Sequence, residues 1–358
     1  MKENIVPLLP PAQDLESKAV LKKAALAHRY LAELKGLVAS IPNENILIDT
    51  LTLQEAKDSS EIENIVTTHD ELYKATLFSK FVGSASAKEV SRYASALKLG
   101  FAHVQRDGLL TINHILEIHQ ELEQNNAGIR SVPGTALRND KTGDIIYLPP
   151  QKHQTILELL KNLEQFINDQ DFCDIDVLIK MAVIHLQFES IHPFYDGNGR
   201  TGRIINILYL VSQGLLDIPV LYLSRYIIQN KEGYYRLLQE TRESEDWEPW
   251  LLYMLEGVEV TAKQTIDLIK SIKQLMMDYK HRIRHELPKI YSQDLINLLF
   301  RYPYTKVESV VKEMQVSRLT ATKYLNLLVA HGFVEKHKVG RYNYYINMPL
   351  FNLFVSNE

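Results

Sequence analysis

The sequence has few of the residues that several common kinds of protein require. Its 358 residues include one cysteine, Cys173, which excludes a disulfide framework and any zinc site built from several cysteines. A single thiol also fits a reducing compartment, so we expect a cytoplasmic protein. No run of about 18 uncharged apolar residues occurs, and we expect no transmembrane helix. The N-terminus, MKENIVPLLPP, lacks the apolar core and cleavage site of a signal peptide.

The bulk composition is that of a globular protein. Hydrophobic residues make up 46% of the chain and charged residues 23%, which excludes wholesale disorder, collagen-like repeats and coiled-coil rods. At about 150 residues per domain, the length predicts two or three domains. Charge is unevenly spread, because residues 288–358 hold nine basic and five acidic side chains, whereas residues 1–287 hold 31 and 39. This asymmetry predicts a separate C-terminal module with a different partner.

Helical spacing of apolar residues dominates the first 287 positions. The most apolar segment, 175–189, is predicted to be a buried helix. A long polar helix over 258–287 is expected to stop at Pro288 and to act as a connector. The other predicted helices span 15–40, 44–56, 60–81, 86–105, 111–123, 200–213, 231–241 and 245–256.

Residues 127–150 break this pattern. Two short β-prone runs, 135–138 and 144–148, flank turn-forming residues from Asn139 to Gly143. We predict a β-hairpin lying on the helical body, with an irregular surface loop as the alternative.

The C-terminal region has a different order of elements. Helices are predicted over 291–300, 306–314 and 317–330, with Ser317 as the N-cap of the third and Gly332 beyond its end. Two strands follow, 333–339 and 342–346. This is the order of a winged helix-turn-helix domain. Its third helix and wing could contact DNA, although many winged helices serve dimerisation or protein docking instead.

The segment ESIHPFYDGNGRTGRIINIL, residues 189–208, carries the strongest chemical signal. Gly197, Asn198 and Gly199 allow a turn whose N–H groups face one point, directly before a helix N-terminus. Arg200 and Arg203, three residues apart, are expected on one face of the first helical turn. Two guanidinium groups beside an anion nest predict a polyphosphate site.

Two further side chains complete the predicted site. His192 is the one residue of the loop that can accept a proton near neutral pH. Asp196 supplies the single carboxylate that Mg²⁺ commonly uses beside phosphates. A metal site made by His185, Glu189 and His192 is an alternative, weighed against a packing role for the first two residues.

Residues 192–203 match every defined position of the Fic motif, HPFx(D/E)GNGRxxR. This resemblance implies a Fic-type helical bundle and a protein adenylyltransferase, which moves AMP from ATP to a Ser, Thr or Tyr hydroxyl of a target protein, itself included. It implies His192 as the general base and Asp196 as the Mg²⁺ ligand. It also implies a phosphate-binding set, made of Gly197, Asn198, Gly199, Arg200, Thr201, Gly202 and Arg203.

A second segment resembles the family's inhibitory motif, (S/T)xxxE(G/N). Ser59, Glu63 and Asn64 satisfy it within a helix expected at about 56–81. The resemblance implies that Glu63 pairs with Arg203 and so keeps the γ-phosphate of ATP from its site. The same glutamate could orient a water, which would allow removal of AMP as a second activity. The alternative is an ordinary solvent-facing helix.

Two weaker site predictions follow from the same resemblance. The hairpin would dock the target by strand addition, with Ile145, Ile146 and Tyr147 gripping it, unless alternate residues pack inward. Residues 226–235 resemble the segment that closes over adenine, with Asn230 and Tyr234 as candidate contacts. A plain helix start is the alternative for this segment.

These observations predict four parts. They are an N-terminal helical region (1–105), a Fic core (106–257), a connector helix (258–287) and a winged-helix domain (288–358). We expect a self-inhibited, ATP- and Mg²⁺-dependent enzyme that forms a homodimer. Two rivals are a DNA-binding regulator whose Fic core senses nucleotide, and a related transferase that moves another phosphate-bearing group.

Overall fold

The structure, a computed structural model, describes residues 5–41, 43–77, 84–138, 142–339 and 342–355, and it is mainly helical. The helices are α1 (Lys18–Val38), α2 (Asn45–Ile62), α3 (His69–Leu77), α4 (Ala85–Asp107), α5 (Ile112–Glu123), α6 (His153–Asn168), α7 (Val177–Ile191), α8 (Asn198–Ser212), α9 (Ser224–Gln229), α10 (Lys231–Ser244), α11 (Glu248–Glu286), α12 (Gln293–Arg301), α13 (Val307–Met314), α14 (Arg318–Ala330) and α15 (Met348–Val355). The strands are β1 (Leu137–Arg138), β2 (Ile145–Tyr147), β3 (Tyr304–Lys306), β4 (Glu335–Val339) and β5 (Tyr342–Ile346).

Helices α7 and α8 form the centre of the body and pack against each other. Every residue of α7 from Leu178 to Ile191 is buried, as its apolar sequence predicts. Asp176 caps its N-terminus by accepting a hydrogen bond from the Leu178 amide at 2.8 Å. The loop 192–197 joins the two helices, so both of its ends are fixed in the core.

Helix α2 is a core helix that carries many polar side chains. Glu55 accepts hydrogen bonds from the Tyr93 hydroxyl at 2.9 Å and from the Ser224 hydroxyl at 2.5 Å. Asp58 accepts one from Nε of Arg225 at 3.1 Å. A buried polar group is costly unless it is bonded, so these partners on α4 and α9 specify where α2 can lie.

The predicted inhibitory helix at about 56–81 is wrong in its bounds. Helix α2 ends at Ile62, and α3 begins only at His69. Asn64 adopts a left-handed backbone, with φ at +62°, which stops the helix there. Residues 78–81 lie outside the described part of the chain.

Helix α11 runs without a break where the sequence predicted two helices, 245–256 and 258–287. Gly257 does not interrupt it. A side chain at this position would put its Cβ 2.8 Å from the Tyr226 ring and 2.9 Å from Leu223. The glycine therefore serves close packing of α11 against α9 rather than a turn. Helix α11 also packs along α1.

A short hairpin lies beside the central pair. Strands β1 and β2 are antiparallel, with Leu137 opposite Tyr147 and Arg138 opposite Ile145, and a bulge between the pairs. The predicted turn residues from Asn139 to Lys141 lie outside the described residues.

Residues 288–355, here the C-terminal unit, contain α12 to α15 and a three-stranded sheet in the order β3-β5-β4. Strand β3 was not foreseen; it pairs antiparallel to β5, with Tyr304 opposite Ile346. Ser317 caps α14 as expected, accepting from the Thr320 amide at 3.2 Å. The unit packs on α2, α3 and α11 of the helical body.

Among the residues that the structure describes, no helix has the length and apolar character needed to span a membrane.

Candidate active site

His192 ends α7 in a left-handed conformation, with φ at +48°, and its amide donates to the Phe188 carbonyl at 2.9 Å. Its Nδ1 is buried without a hydrogen-bond partner, so Nε2 is the nitrogen available to a reactant. Burial, followed by the charges of Arg242 and Arg130, lowers the pKa of His192 to about 3. The Glu189 carbonyl acts in the opposite direction, because it favours the protonated imidazole. The imidazole is therefore neutral at physiological pH.

Arg130 holds the His192 turn in place and was not singled out from the sequence. Its Nε donates to the His192 carbonyl at 2.7 Å and its Nη2 to the Ile191 carbonyl at 3.2 Å. Its amide donates to the Pro193 carbonyl at 2.9 Å. Three main-chain carbonyls of the turn are thus bonded by one buried residue. A lone arginine in a loop sequence gave no signal of this role.

Asn198 closes the loop upon itself. Its Oδ1 accepts from the Phe194 amide at 2.8 Å, and its Nδ2 donates to the Phe194 carbonyl at 2.9 Å. The Phe194 ring stacks on His119, with ring centroids 3.7 Å apart. Both polar atoms of the Asn198 side chain are thus used within the loop, and the prediction that Asn198 binds phosphate stays a prediction.

The N-terminus of α8 offers main-chain donors. Gly197 precedes the helix with φ at +72°, and no side chain caps this end. The first N–H groups of the helix have no intrahelical acceptor, and the helix dipole favours an anion beside them. The expected anion nest is therefore present at residues 197–199.

The Glu63 carboxylate lies beside Gly199 at this helix start. A Cβ added to Gly199 would lie 2.4 Å from Oε1 of Glu63 and 3.0 Å from Nη1 of Arg203. Nη2 of Arg203 donates to the same Glu63 oxygen at 2.8 Å. The pairing of Glu63 with Arg203 that the motif predicted is present, and it lies at the N-terminus of α8.

Ser59 supplies the other acceptors of Arg203. Its hydroxyl accepts from Nε at 2.8 Å and its carbonyl from Nη2 at 2.9 Å. Arg203 is 2% exposed. Burial is the largest single influence on the pKa of the guanidinium and lowers it, but the charge of Glu63 opposes burial and the net pKa is raised. Ser59 therefore aims the guanidinium at Glu63 instead of leaving it free to rotate.

Asn64 acts through the main chain. Its amide donates to the Glu61 carbonyl at 3.0 Å, and the Ile65 amide donates to the Ser60 carbonyl at 3.0 Å, the two bonds of a Schellman turn. The position after Glu63 must adopt positive φ, which explains why the motif allows Gly or Asn there. Asn64 thereby stops α2 one residue after the carboxylate that enters the site.

The two motif arginines do not share a face. Arg203 points to α2, whereas Nη2 of Arg200 donates to Glu123 at 2.8 Å and its Nη1 lies 3.5 Å from Glu89. Arg200 therefore faces carboxylates of other helices, and the prediction that both arginines bind one polyphosphate stays a prediction. Glu123 also faces Gly197, whose hypothetical Cβ would lie 2.4 Å from it. Neither glutamate was singled out from the sequence, because each belongs to a distant helix.

Asp196 is exposed at the rim of the loop. Its Oδ1 accepts from the Gly197 amide at 2.7 Å, and its main-chain carbonyl lies 3.0 Å from Nε2 of His119. One accessible carboxylate next to an anion nest suits a Mg²⁺ ion that phosphate oxygens and waters complete.

Two members of the predicted phosphate set face away from the loop. Thr201 is fully buried. A Cβ on Gly202 would lie 2.8 Å from Oε1 of Glu189 and 3.1 Å from Phe188. Both residues belong to the packing surface between α8 and α7, and their predicted contact with ATP stays a prediction.

Tyr234 and Tyr147 are also corrected. The Tyr234 hydroxyl bonds Nε2 of His185 at 2.8 Å in the core, which removes it as an adenine contact. The Tyr147 hydroxyl donates to the Ser190 carbonyl at 2.8 Å, so this side chain anchors the hairpin inward. Ile146, by contrast, is 44% exposed.

The remaining candidates keep accessible positions. Ile145 is half-buried beside Ile146 on β2. Asn230 is exposed between α9 and α10, and its neighbour Lys231 donates to Oδ1 of Asn64 at 3.2 Å. The structure therefore brings the predicted adenine segment to the end of the inhibitory motif.

The buried acid Glu189 sits behind the site. Its Oε1 has no hydrogen-bond partner. Burial raises its pKa to about 7, against the charge of Arg203, which lowers it. Its neighbour His185 is bonded to Tyr234, so the alternative metal site with His192 gains no support from this arrangement.

His103, Asp107 and His114 have ligand atoms close enough together to share a cation, within the described residues. Nη2 of Arg106 lies 3.2 Å from Nδ1 of His103, and the Thr111 amide lies 3.5 Å from Nδ1 of His114. Both Nδ1 atoms thus face donors, which places the ring protons on Nε2, where a metal would have to bind. The stacked imidazoles are better explained as donors to carboxylates.

Family models match three stretches of the chain. Residues 21–102 match the Fic/DOC family N-terminal model and residues 109–210 the Fic/DOC family model. Residues 275–350 match the model described as protein adenylyltransferase SoFic-like, C-terminal domain.

Individual relatives give the same result at moderate identity. A probable protein adenylyltransferase of Aquifex aeolicus is 30% identical over 200 residues, covering 55% of this chain and 57% of that protein. Protein adenylyltransferase Fic of Drosophila erecta is 23% identical over 265 residues, covering 73% of this chain and 47% of that protein. The chain thus spans only about half the length of these relatives.

Solved structures support the fold. The crystal structure of a Fic family protein from Desulfovibrio desulfuricans superimposes with a TM-score of 0.59 at 18% identity, covering 94% of this chain and 98% of that one. A structure of Fic-1 from Caenorhabditis elegans gives 0.55 at 21% identity, covering 70% and 74%. These structures share the fold, and the family models that match residues 21–102 and 109–210 show that the chain belongs to the Fic/DOC family.

Proposed function

We propose that the chain is a protein adenylyltransferase that the Glu63–Arg203 contact holds in an inhibited state. One observation carries the proposal: a carboxylate at the end of α2 lies beside Gly199 at the start of α8 and accepts a hydrogen bond from the motif arginine, Arg203. A nest and a buried arginine are suited to a phosphate, and Glu63 takes the place of that phosphate. The names of the curated relatives, all of them adenylyltransferases, support the same activity.

The reaction assigns a clear task to His192. The target hydroxyl oxygen forms a bond to the α-phosphorus of ATP, and the bond from that phosphorus to the pyrophosphate oxygen breaks. The hydroxyl proton passes to Nε2 of His192, which is neutral because burial lowers its pKa to about 3. Arg130 keeps the imidazole in position through the main chain of its turn.

The phosphates would be bound by α8 and Arg203. The amides of residues 197–199 stabilise negative charge without reorganising, since the loop is fixed by Asn198. Arg203 would take the γ-phosphate once Glu63 has left it. Arg200 would reach a phosphate only after its hydrogen bond to Glu123 breaks. We therefore propose that the main role of Arg200 is to hold α5 against the loop.

Asp196 would hold Mg²⁺, and its exposed carboxylate beside the nest fits this role. When bound, the ion would supply positive charge to the phosphate oxygens. Asn230 stays our candidate adenine contact. The hairpin stays the candidate docking site for a target segment, with Ile145 and Ile146 as its outer residues. Glu63 could also orient a water for removal of AMP.

The division into parts at 1–105, 106–257, 258–287 and 288–358, the cytoplasmic location and the homodimer remain our proposals. DNA binding through the C-terminal unit is the second candidate. The exposed side of α14 carries Lys323, a residue type that binds phosphate, and Leu319 is 83% exposed. A regulator that uses its Fic core to sense nucleotide would be consistent with this surface.

The decisive experiment follows label from α-labelled ATP in the presence of Mg²⁺. Wild type, Glu63→Gly, and Glu63→Gly with His192→Ala are compared, with the enzyme and added proteins as acceptors. We expect strong labelling with Glu63→Gly and none with the double variant. If no form transfers label while Glu63→Gly binds ATP by calorimetry, the nucleotide-sensing regulator replaces the enzyme. Label from γ-labelled ATP alone would identify a different transferase.

A further inference from the structure

The start of α2 contacts the C-terminal unit. Asp49, one turn into the helix and 7% exposed, accepts from Nε of Arg301 at 2.8 Å. Arg301 is the last residue of α12. Lys98 of α4 binds the other oxygen of the same carboxylate. A buried acid on the inhibitory helix is therefore compensated partly from outside the Fic core.

Helix α3, which follows the inhibitory motif, is held by the same unit. The Tyr304 hydroxyl of β3 donates to Oδ1 of Asp70 at 2.6 Å. The buried ring of Tyr73 stacks on Tyr304 with centroids 5.6 Å apart, and the rings of Phe351 and Phe354 lie 6.3 and 6.4 Å from it. The segment that carries Glu63 is thus bracketed, before and after, by contacts to the C-terminal unit.

Helix α2 can transmit a displacement between its two ends. Asp49 and Glu63 are separated by roughly 21 Å at 1.5 Å per residue. Between them, Glu55 and Asp58 are bonded to α4 and α9 inside the core, so the helix has few alternative positions. A helix that is packed on several sides shifts as one body instead of bending residue by residue.

We propose that the C-terminal unit clamps α2, so that Glu63 stays on Arg203 only while Arg301 and Tyr304 hold their partners. This inference rests on the proposed function and adds its regulation. The clamp stabilises the inhibited state, and separating the C-terminal unit from α2 and α3 releases Arg203 for the γ-phosphate.

The test uses the full chain with two clamp variants, Arg301→Ala and Tyr304→Phe. The second removes only a hydroxyl and keeps the stacked ring, so it leaves the fold intact. Arg318→Ala is the matched control, because its ion pair with Glu308 at 2.9 Å lies within the C-terminal unit. Each variant is made with Glu63 and in the Glu63→Gly background. Two quantities are measured: AMP transfer, and amide hydrogen exchange of residues 45–62.

Each clamp variant should raise AMP transfer by about threefold to tenfold, the range expected for one half-exposed ionic or charge-assisted bond. Exchange of residues 45–62 should become faster. Neither variant should add to the gain in the Glu63→Gly background, where no carboxylate is left to release. Arg318→Ala should behave as wild type.

Unchanged exchange in both clamp variants would overturn the proposal. An equal gain with and without Glu63 would also overturn it, because the effect would then bypass Arg203. Faster exchange with AMP transfer at the wild-type rate, while Glu63→Gly is active, would refute it as well. If Glu63→Gly transfers no AMP, the proposed function fails. The clamp is then tested by itself, by measuring ATP binding of the clamp variants by calorimetry together with the hydrogen exchange of residues 45–62.

Discussion

Replacing Glu63 tests the central contact of the site. Arg203 is 2% exposed, and its bond to Glu63 measures 2.8 Å. A hydrogen bond between charged groups contributes about 1.5–3 kcal/mol. Glu63 keeps 35% of its side-chain surface exposed, so water screens the pair and the lower half of this range applies best. At about 1.4 kcal/mol per factor of ten, removing the carboxylate should raise AMP transfer roughly 10- to 40-fold.

The measurement is the initial rate of label transfer from α-labelled ATP at saturating Mg²⁺. Glu63→Gly should give the full gain, since glycine tolerates the cap position of α2. Glu63→Gln should give a smaller gain, because the amide keeps an acceptor but loses the charge. Glu61→Gln is the matched control, as Glu61 lies on the same helix and pairs with Lys57 instead.

A second change identifies the source of the gain. Arg203→Ala in the Glu63→Gly background should return the rate to the wild-type level or below, because Arg203 is the group that Glu63 masks. The reasoning is refuted if Glu63→Gly stays within twofold of wild type while folded and able to bind ATP. It is also refuted if Glu61→Gln produces an equal gain.

Three further outcomes follow from the structure. Because burial lowers the pKa of His192 to about 3, its Cε1 proton should keep a constant NMR shift from pH 8 to 5, and a transition near 6.5 would contradict this. Asn64→Gly should keep the unfolding free energy, whereas Asn64→Val should lose about 1–2 kcal/mol at positive φ, both by urea denaturation; equal losses would contradict the turn. Burial raises the pKa of Glu189 to about 7. Between pH 4.5 and 7 the folded state therefore keeps a proton that the unfolded state has released, and the stability of the wild type falls as the pH rises through that window. Glu189→Gln should therefore be more stable than wild type by about 3 kcal/mol at pH 8 and by under about 1 kcal/mol at pH 5, and a pH-independent difference would contradict this.

Much of the site could be predicted because its chemistry is contiguous in the chain. The loop from His192 to Arg203 brings a base, an acid and an anion nest together within twelve residues. The burial of helix α7 could be predicted because its sequence is apolar on all sides. The break after Glu63 is also a local property, since Asn64 tolerates positive φ, although the sequence pattern placed a helix across it.

The errors concern side-chain direction. Arg200 and Arg203 are neighbours on one helical turn, yet one is bonded across 77 positions to Glu123 and the other across 140 positions to Glu63. Spacing along a helix fixes which residues are close, and the surrounding helices decide which acid each arginine meets. Tyr147 and Tyr234 were candidate contacts for the target and for adenine, and in the structure their hydroxyls are bonded in the core.

The sequence by itself determined the family, the catalytic loop and the existence of an inhibitory motif, because each is encoded in a short run of residues with its own local geometry. Only the tertiary structure decided that Glu63 lies beside Gly199 at the start of α8, that Arg130 holds the histidine turn, and that the C-terminal unit reaches α2 through Arg301, 252 positions from Asp49. These are pairings of buried charges between distant segments. Their partners are set by how the helices pack, which no local pattern specifies.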